Sequence, residues 1–150
     1  MAAHLAGEDD DQVRWLLEGR RSEPVRTRQW VGETQQEWLT GGPRRHLGTF
    51  DAATGVLVGG VEAHVALAGD GEANVSYAVF PAWRGHGIAA RAVGLLCSWL
   101  VEVTPVRTAV LRIAPDNAAS HGVARAAGFV RCSAAPDDGE GLDRYERPLR

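Results

Sequence analysis

The chain has 150 residues, and we predict that residues 1–150 form one domain with a single core. The net charge of −3 argues against a nucleic-acid-binding surface, and no apolar run reaches the roughly 18 residues of a membrane span. All sixteen basic residues are arginine, which excludes Schiff-base lysine chemistry, and the two cysteines are typical of reduced thiols in a cytoplasmic protein.

The first part of the chain is predicted to form two helices and then a hairpin. Residues 9–19 place apolar side chains on one face and acidic residues in the first turn, as a helix requires. A second helix has a start signal with proline at residues 22–24, and two glycines and a proline at residues 41–43 end it. The two predicted strands of the hairpin are residues 46–51 and 56–65.

The most informative segment is a glycine-rich turn between a predicted strand and a long predicted helix. The strand covers residues 74–80, and apolar side chains recur at helical spacing from Ile88 to Val103. Such a turn directs free backbone N–H groups and a positive helix end at one point, which favours an anion and most often phosphate. The sequence therefore predicts a phosphate-bearing ligand.

Three kinds of glycine-rich loop bind such ligands. A P-loop needs a lysine, which this chain lacks. A dinucleotide-binding turn has a third glycine where this chain has Ala90, and its acidic residue ends the next strand, whereas Glu102 lies on the helix. The third pattern, Arg/Gln-x-x-Gly-x-Gly/Ala, is matched without a gap by Arg84, Gly87 and Ala89.

A second segment lies beyond that helix. Residues 108–113 alternate as a strand, Asn117 is a suitable helix N-cap, and Gly128 can end the helix in the left-handed conformation before Phe129. Together the two segments resemble the GNAT family of N-acetyltransferases, in which the loop binds acetyl-CoA and the second segment reads Asn-x-x-Ser/Ala, a short helix and Gly-Phe. The spacing from Asn117 to Ser120 most resembles the branch that acetylates the N-terminal alanine or serine of ribosomal proteins.

The order of the predicted elements is compatible with that resemblance. Two strands, residues 129–132 and 142–147, close the chain, so the order is two helices, three strands, a helix, a strand, a helix and two strands. The resemblance implies the α/β fold of the family, a mixed and mostly antiparallel central sheet flanked by helices. The family's first strand is expected to be short or absent, because residues 1–7 are few and rich in small side chains.

The resemblance also implies a site for acetyl-CoA as co-substrate, with no metal. The strands on either side of the cofactor helix would splay apart around the pantetheine arm. The backbone N–H of Val79 would polarise the thioester carbonyl, and Asn117 would contact pantetheine. The residues implied to hold the pyrophosphate are Arg84, Gly85, His86, Gly87, Ile88 and Ala89.

The catalytic groups that the resemblance implies depart from the family pattern. Ser120 occupies the position of a proposed general acid for the leaving thiolate. Ala124 stands where many other branches have a tyrosine, so Tyr145 is a second candidate acid. Asn74 replaces a glutamate that would accept the amine proton through water, which an amide cannot do.

The general base is therefore left open. Glu72 shares the strand face of Asn74 and is a candidate substitute. Glu62 and His64 share one face of the preceding strand and could reach a water. Bulk water or a relay also suffices for an amine whose pKa is not far above 7.

The acceptor is expected to be a primary amine of a small molecule or peptide, bound by a monomer or homodimer. In this fold the early helices and the last strands wall the acceptor site, so Trp30, Trp38 and residues 133–141 are candidates. Acidic residues that could attract a cationic amine are Asp137, Asp138, Glu140 and Asp143. Two other functions are open: a CoA-binding regulatory module without turnover, and a nucleotide-binding α/β domain.

Overall fold

The computed structural model describes residues 2–17, 19–65, 71–132 and 141–150. Its helices are α1 (Ala2–Gly7), α2 (Asp10–Leu16), α3 (Pro24–Thr40), α4 (Ile88–Val103) and α5 (Ala118–Ala126), and a short 3-10 helix covers Pro81–Trp83. Its strands are β1 (Arg44–Phe50), β2 (Leu57–Val65), β3 (Glu72–Val79), β4 (Thr108–Ile113), β5 (Val130–Arg131) and β6 (Asp143–Pro148). Within those ranges, no helix is long and apolar enough to cross a membrane.

The six strands form one mixed sheet in the order β1-β2-β3-β4-β6-β5. Every neighbouring pair is antiparallel except β3 and β4, which are parallel. That parallel pairing joins only residues 72–74 to residues 108–110, and beyond it the two strands separate. The predicted α/β fold is confirmed, and the sheet is open at the point where the glycine-rich turn begins.

The apolar core lies between one face of the sheet and helices α4 and α5. Alternate residues of the central strands, such as Val75 and Leu111, pack there against Leu96 and Leu100 of α4. Cys97 is buried in this core, and burial raises the pKa of its thiol. Cys97 is therefore a protonated core residue rather than a nucleophile.

Local capping explains where the helices begin and end. Helix α3 begins at Pro24, as predicted, because proline has no backbone N–H to lose at this position. Helix α5 begins after Asn117, whose side-chain oxygen accepts a hydrogen bond from the Ser120 backbone N–H at 3.1 Å. The strands lie close to their predicted bounds, whereas α2 ends at Leu16, short of the predicted end. Residues 2–7 form the additional helix α1, not a strand.

Candidate active site

A cavity of about 560 Å³ lies in the gap between β3 and β4. Its walls are the separated halves of the two strands, the glycine-rich turn, the start of α5 and helix α2. Mostly apolar walls with a few polar groups are typical of small-molecule sites. The predicted cofactor-binding residues that line it are Val79, Arg84, Gly85, Gly87, Ile88, Ala89 and Asn117, whereas His86 is exposed and does not.

The separated strand β3 turns backbone groups towards this cavity. The Phe80 N–H donates to the Val58 carbonyl of β2 at 2.9 Å. Because successive residues of an antiparallel ladder point to opposite neighbours, the N–H of Val79 points away from β2. On that side β3 no longer pairs with β4, so among the described strands none accepts a hydrogen bond from the Val79 N–H.

The glycine-rich turn presents backbone to the cavity without covering it. Gly85 and Gly87 have φ angles of +77° and +73°, the left-handed region that glycine adopts without a steric cost. Gly87 is the N-cap of α4 and supplies no side-chain hydrogen bond, so the first N–H groups of the helix have no side-chain cap. A Cβ at either glycine would meet nothing within 4 Å, which shows how open this surface is.

The side chain of Arg84 is directed towards α2. Its guanidinium donates to the Asp9 carboxylate at 2.7 and 2.9 Å and to Asp11 at 3.2 Å, while its Nε donates to the Val79 carbonyl at 3.0 Å. The hydrogen bond from Arg84 lowers the pKa of the Asp9 carboxyl. The sequence predicted Arg84 as a pyrophosphate ligand, but here its guanidinium joins α2 to the turn. Backbone N–H groups are left as the turn's main donors to an anion.

Helix α2 forms one wall of the cavity, a position that the sequence did not predict. It contributes the side chains Asp11, Gln12, Trp15 and Leu16. At its far end Arg14 donates to Asp116 at 2.7 Å, so an ion pair holds each end of α2, one beside each separated strand. The periodicity of residues 9–19 predicted a helix, but nothing local showed which face would meet the cavity.

The tryptophans predicted for the acceptor site do not line this cavity. Trp30 stacks on His4 at 5.7 Å and meets the edge of His46 at 4.5 Å. Trp38 packs against Trp99 of α4 at 5.6 Å. Neither is among the described residues that line the cavity, and Trp15 is the tryptophan of an early helix that does.

Two hydroxyl groups converge in the cavity. Ser120 lines it from the first turn of α5, where the sequence predicted the general acid, and Tyr77 lines it from β3. The Tyr77 hydroxyl is buried and has no hydrogen-bond partner among the described residues. Burial raises the pKa of Tyr77, and the nearby Ser120 side chain opposes that shift. Tyr77 was not among the site residues predicted from the sequence.

The second candidate acid, Tyr145, is committed to another contact. Its hydroxyl lies 3.0 Å from Nδ1 of His121, and its side chain is 4% exposed. It does not line the described cavity. We assign Tyr145 a structural role in joining β6 to α5.

The structure does not bring Glu72 or Asn74 to the cavity lining described here. Glu72 accepts a hydrogen bond from Arg144 at 2.7 Å, in the part of β3 that still pairs with β4. The Asn74 Oδ1 atom is buried and lacks a partner within the described ranges. Both residues lie before the strands separate.

The neighbouring strand does not supply a base at the cavity either. Glu62 Oε2 lies 3.5 Å from His46 Nδ1, and His64 is exposed opposite Asn74 in the ladder. Among the described lining residues the carboxylate is that of Asp11, which Arg84 contacts. The described lining therefore contains a candidate general acid, Ser120, whereas its carboxylate, that of Asp11, is engaged in an ion pair.

The acidic residues proposed to attract the acceptor are only partly described. Asp137, Asp138 and Glu140 lie outside the described residues, as does most of the segment 133–141. Asp143 pairs with Arg131, and His121 Nε2 lies 3.7 Å from its carboxylate. Asp143 is thus engaged by two partners on neighbouring elements.

The chain matches a known domain family and known folds. The model of the acetyltransferase (GNAT) domain matches residues 2–130. A comparison with curated proteins finds no match. The chain is similar in fold to the ribosomal L7/L12 α-N-protein acetyltransferase RimL in complex with coenzyme A, with a TM-score of 0.81, 17% identity and coverage of 98% of this chain and 86% of that one.

Two other solved structures share the fold. The microcin C7 self-immunity acetyltransferase MccE, in complex with acetyl-CoA and AMP, has a TM-score of 0.79 and 13% identity, covering 98% of this chain and 84% of that one. The ribosomal-protein-S5-alanine acetyltransferase from Vibrio fischeri has a TM-score of 0.73 and 18% identity, covering 87% and 76%. Because the domain match spans most of the chain, the protein belongs to the acetyltransferase (GNAT) family.

Proposed function

We propose that the protein transfers the acetyl group of acetyl-CoA to a primary amine by direct attack on the thioester. The observation that carries this proposal is the gap between β3 and β4, which exposes the Val79 N–H beside the glycine-rich turn. The complexes of RimL with coenzyme A and of MccE with acetyl-CoA support the same ligand here. The ribosomal-protein acetyltransferases among the similar structures support an amine acceptor.

The residues present fit acetyl-CoA in shape and donor type. The apolar gap suits the pantetheine arm, and the turn from Gly85 to the start of α4 offers backbone N–H groups for the pyrophosphate. The Asn117 side-chain oxygen already caps α5, so its amide nitrogen is the group left to contact pantetheine. Arg84 would contribute by holding the turn against α2 through its ion pair with Asp9.

The proposed reaction uses two groups of this site and a water molecule. The Val79 N–H stabilises the negative charge that develops on the thioester oxygen as the amine attacks. Ser120 protonates the sulfur as the carbon–sulfur bond breaks. The amine loses its proton to water, because the predicted base positions do not reach the described cavity walls.

The assignment of the turn is tested by Gly87→Ala. A Cβ at this position projects into the open space that a pyrophosphate would occupy, so we expect acetyl-CoA to bind about 10-fold more weakly, a loss of about 1.4 kcal/mol. Isothermal titration calorimetry measures the change. The matched control is Gly55→Ala in the β1–β2 turn, where φ is +68° and a Cβ also meets nothing within 4 Å.

Both glycine variants carry the same backbone strain, and Gly55 does not line the described cavity. Equal affinities in the two variants would show that the turn does not hold the co-substrate. A loss confined to Gly87→Ala would locate the pyrophosphate at the start of α4.

The absence of a base at the Asn74 position gives a pH prediction. We expect kcat/KM to rise with pH up to the pKa of the acceptor amine itself, about 8 for an α-amino group and about 10 for a lysine-like amine. The measurement is a pH–rate profile with the best acceptor from an amine panel, followed by free-thiol release. A profile that already breaks between about pH 6 and 7, and loses that break in Glu62→Gln or Asp11→Asn, would reveal an enzyme base and contradict the prediction.

A second candidate function is a CoA-binding regulatory module without turnover. It is favoured by the placement of Glu72 in an ion pair away from the cavity. Binding of acetyl-CoA without thiol release for any amine in the panel would select this function over acetyl transfer.

A further inference from the structure

The Tyr77 hydroxyl is a buried polar group that the protein itself leaves unsatisfied among its described residues. Most buried side-chain hydroxyls have a hydrogen-bond partner, and leaving one without a partner is destabilising. Such a group at the wall of a ligand cavity indicates that its partner comes with the ligand or with a small movement of a neighbour. Ser120, which lines the same cavity, is such a neighbour.

The position of Tyr77 in the strand fixes its relation to the site. It stands two residues before Val79 in β3, and its ring packs at the margin of the core formed with α4 and α5. The same cavity is therefore bordered by the Val79 backbone and the Tyr77 and Ser120 hydroxyls. Ala124, in the position where other members of the family have tyrosine, is fully buried in the core and provides no hydroxyl.

We propose that Tyr77 supplies the proton that the leaving thiolate receives, and that Ser120 passes it on. This inference rests on the proposed function. An aliphatic hydroxyl alone is a weak proton source for a thiolate, because losing its proton leaves an alkoxide. A phenol ordinarily ionises near pH 10 and a thiol near 8.5. Burial raises the pKa of Tyr77, but a phenol is still a much stronger acid than an aliphatic alcohol, so a tyrosine behind the serine makes the transfer less unfavourable.

The proposed relay moves two protons as the thioester is cleaved. The bond from the carbonyl carbon to sulfur breaks, and its electron pair goes to sulfur. Ser120 Oγ gives its proton to that sulfur and takes the proton of Tyr77 Oη. The phenolate then recovers a proton from water, which has received one from the acceptor amine, so no net proton is gained or lost by the enzyme.

The test is Tyr77→Phe, which removes the hydroxyl and keeps the ring in the core. We expect kcat to fall about 10-fold, less than the roughly 100-fold or more typical of a general acid because Tyr77 acts through Ser120, with unchanged affinity for acetyl-CoA. Because the hydroxyl has no partner in the described structure, the free energy of unfolding should not decrease. A structural role would instead lower the free energy of unfolding and leave kcat unaffected.

A double-mutant cycle links the two hydroxyls. In a Ser120→Ala background, Tyr77→Phe should cause little further loss of kcat, because the relay is already broken. The matched control is Tyr145→Phe, which removes the hydroxyl of the other tyrosine, held by His121 outside the cavity. Its kcat should stay close to that of the parent.

The outcomes of these measurements separate the relay from the acetyltransferase proposal on which it rests. Full kcat in Tyr77→Phe, with the parent turning over, overturns the relay and leaves the acetyltransferase proposal intact. Fully additive losses in the double variant also overturn the relay, because the two residues would then act separately. A parent that releases no thiol with any amine overturns both proposals.

Discussion

Replacing Gly59 by alanine is expected to lower the free energy of unfolding by about 3 kcal/mol, at the upper end of the range for overpacking. A Cβ at Gly59 would lie 2.1 Å from the Ala78 carbonyl oxygen and 3.0 Å from the Val79 Cα, both atoms of the β3 backbone. Since neither can move as a flexible side chain does, β2 and β3 must shift apart. Urea unfolding followed by circular dichroism measures the loss.

The matched control for Gly59→Ala is Gly94→Ala in the interior of α4. A Cβ there meets nothing within 4 Å, so alanine should raise the free energy of unfolding by about 0.5–1 kcal/mol through its higher helix propensity. The two substitutions add the same methyl group and should change the free energy of unfolding in opposite directions. If Gly59→Ala were as stable as the parent, β2 and β3 could not lie as close together as described. The placement of the Val79 N–H, which follows from that pairing, would then also be wrong.

Replacing Ser120 by alanine is expected to lower kcat about 10- to 100-fold with little change in the KM for acetyl-CoA. The variant removes the hydroxyl alone, because the hydrogen bond from residue 120 to the Asn117 side chain uses the backbone N–H and survives. The low end of the range for general acids is expected since a thiolate is a fairly good leaving group. Initial rates at saturating acceptor measure the effect.

The matched control for Ser120→Ala is Ser98→Ala, which removes an exposed hydroxyl on α4 that donates to the Gly94 carbonyl. This variant should keep the kcat of the parent. An undiminished kcat in Ser120→Ala would transfer the role of acid to water or to another group in the cavity. A rise in KM with unchanged kcat would make Ser120 a binding residue only.

The parts of the site that the sequence predicted are those encoded locally. Gly87 and Asn117 cap helices within one turn of the residues they serve, and strand alternation placed Val79 next to the turn. Short-range patterns of this kind identify the elements and the glycine-rich turn. The roles predicted for Val79 and Ser120 came from the resemblance to the family, in which the position of Ser120 is counted from the cap.

The parts that the sequence did not predict depend on contacts between distant residues. Arg84 meets Asp9 across 75 positions, and Arg144 meets Glu72 across 72. Side-chain pairing at such separations follows from the packing of whole elements, so no local pattern indicates it. For the same reason α2 was predicted as a helix but not as a wall of the cavity, and the pairing of Glu72, a candidate base, with Arg144 was not predicted.

The short parallel pairing of β3 with β4 divides the sheet into two three-stranded antiparallel units, β1-β2-β3 and β4-β6-β5. The seam between them has only three residue pairs, against six or seven in the β1-β2, β2-β3 and β4-β6 pairings, and it borders the cavity. A ligand lodged along this seam would bridge the two units where ladder hydrogen bonds are missing. Substrate binding and resistance to unfolding are then coupled, with a stabilisation of about 2.7 kcal/mol when the free ligand is at 100 times its Kd.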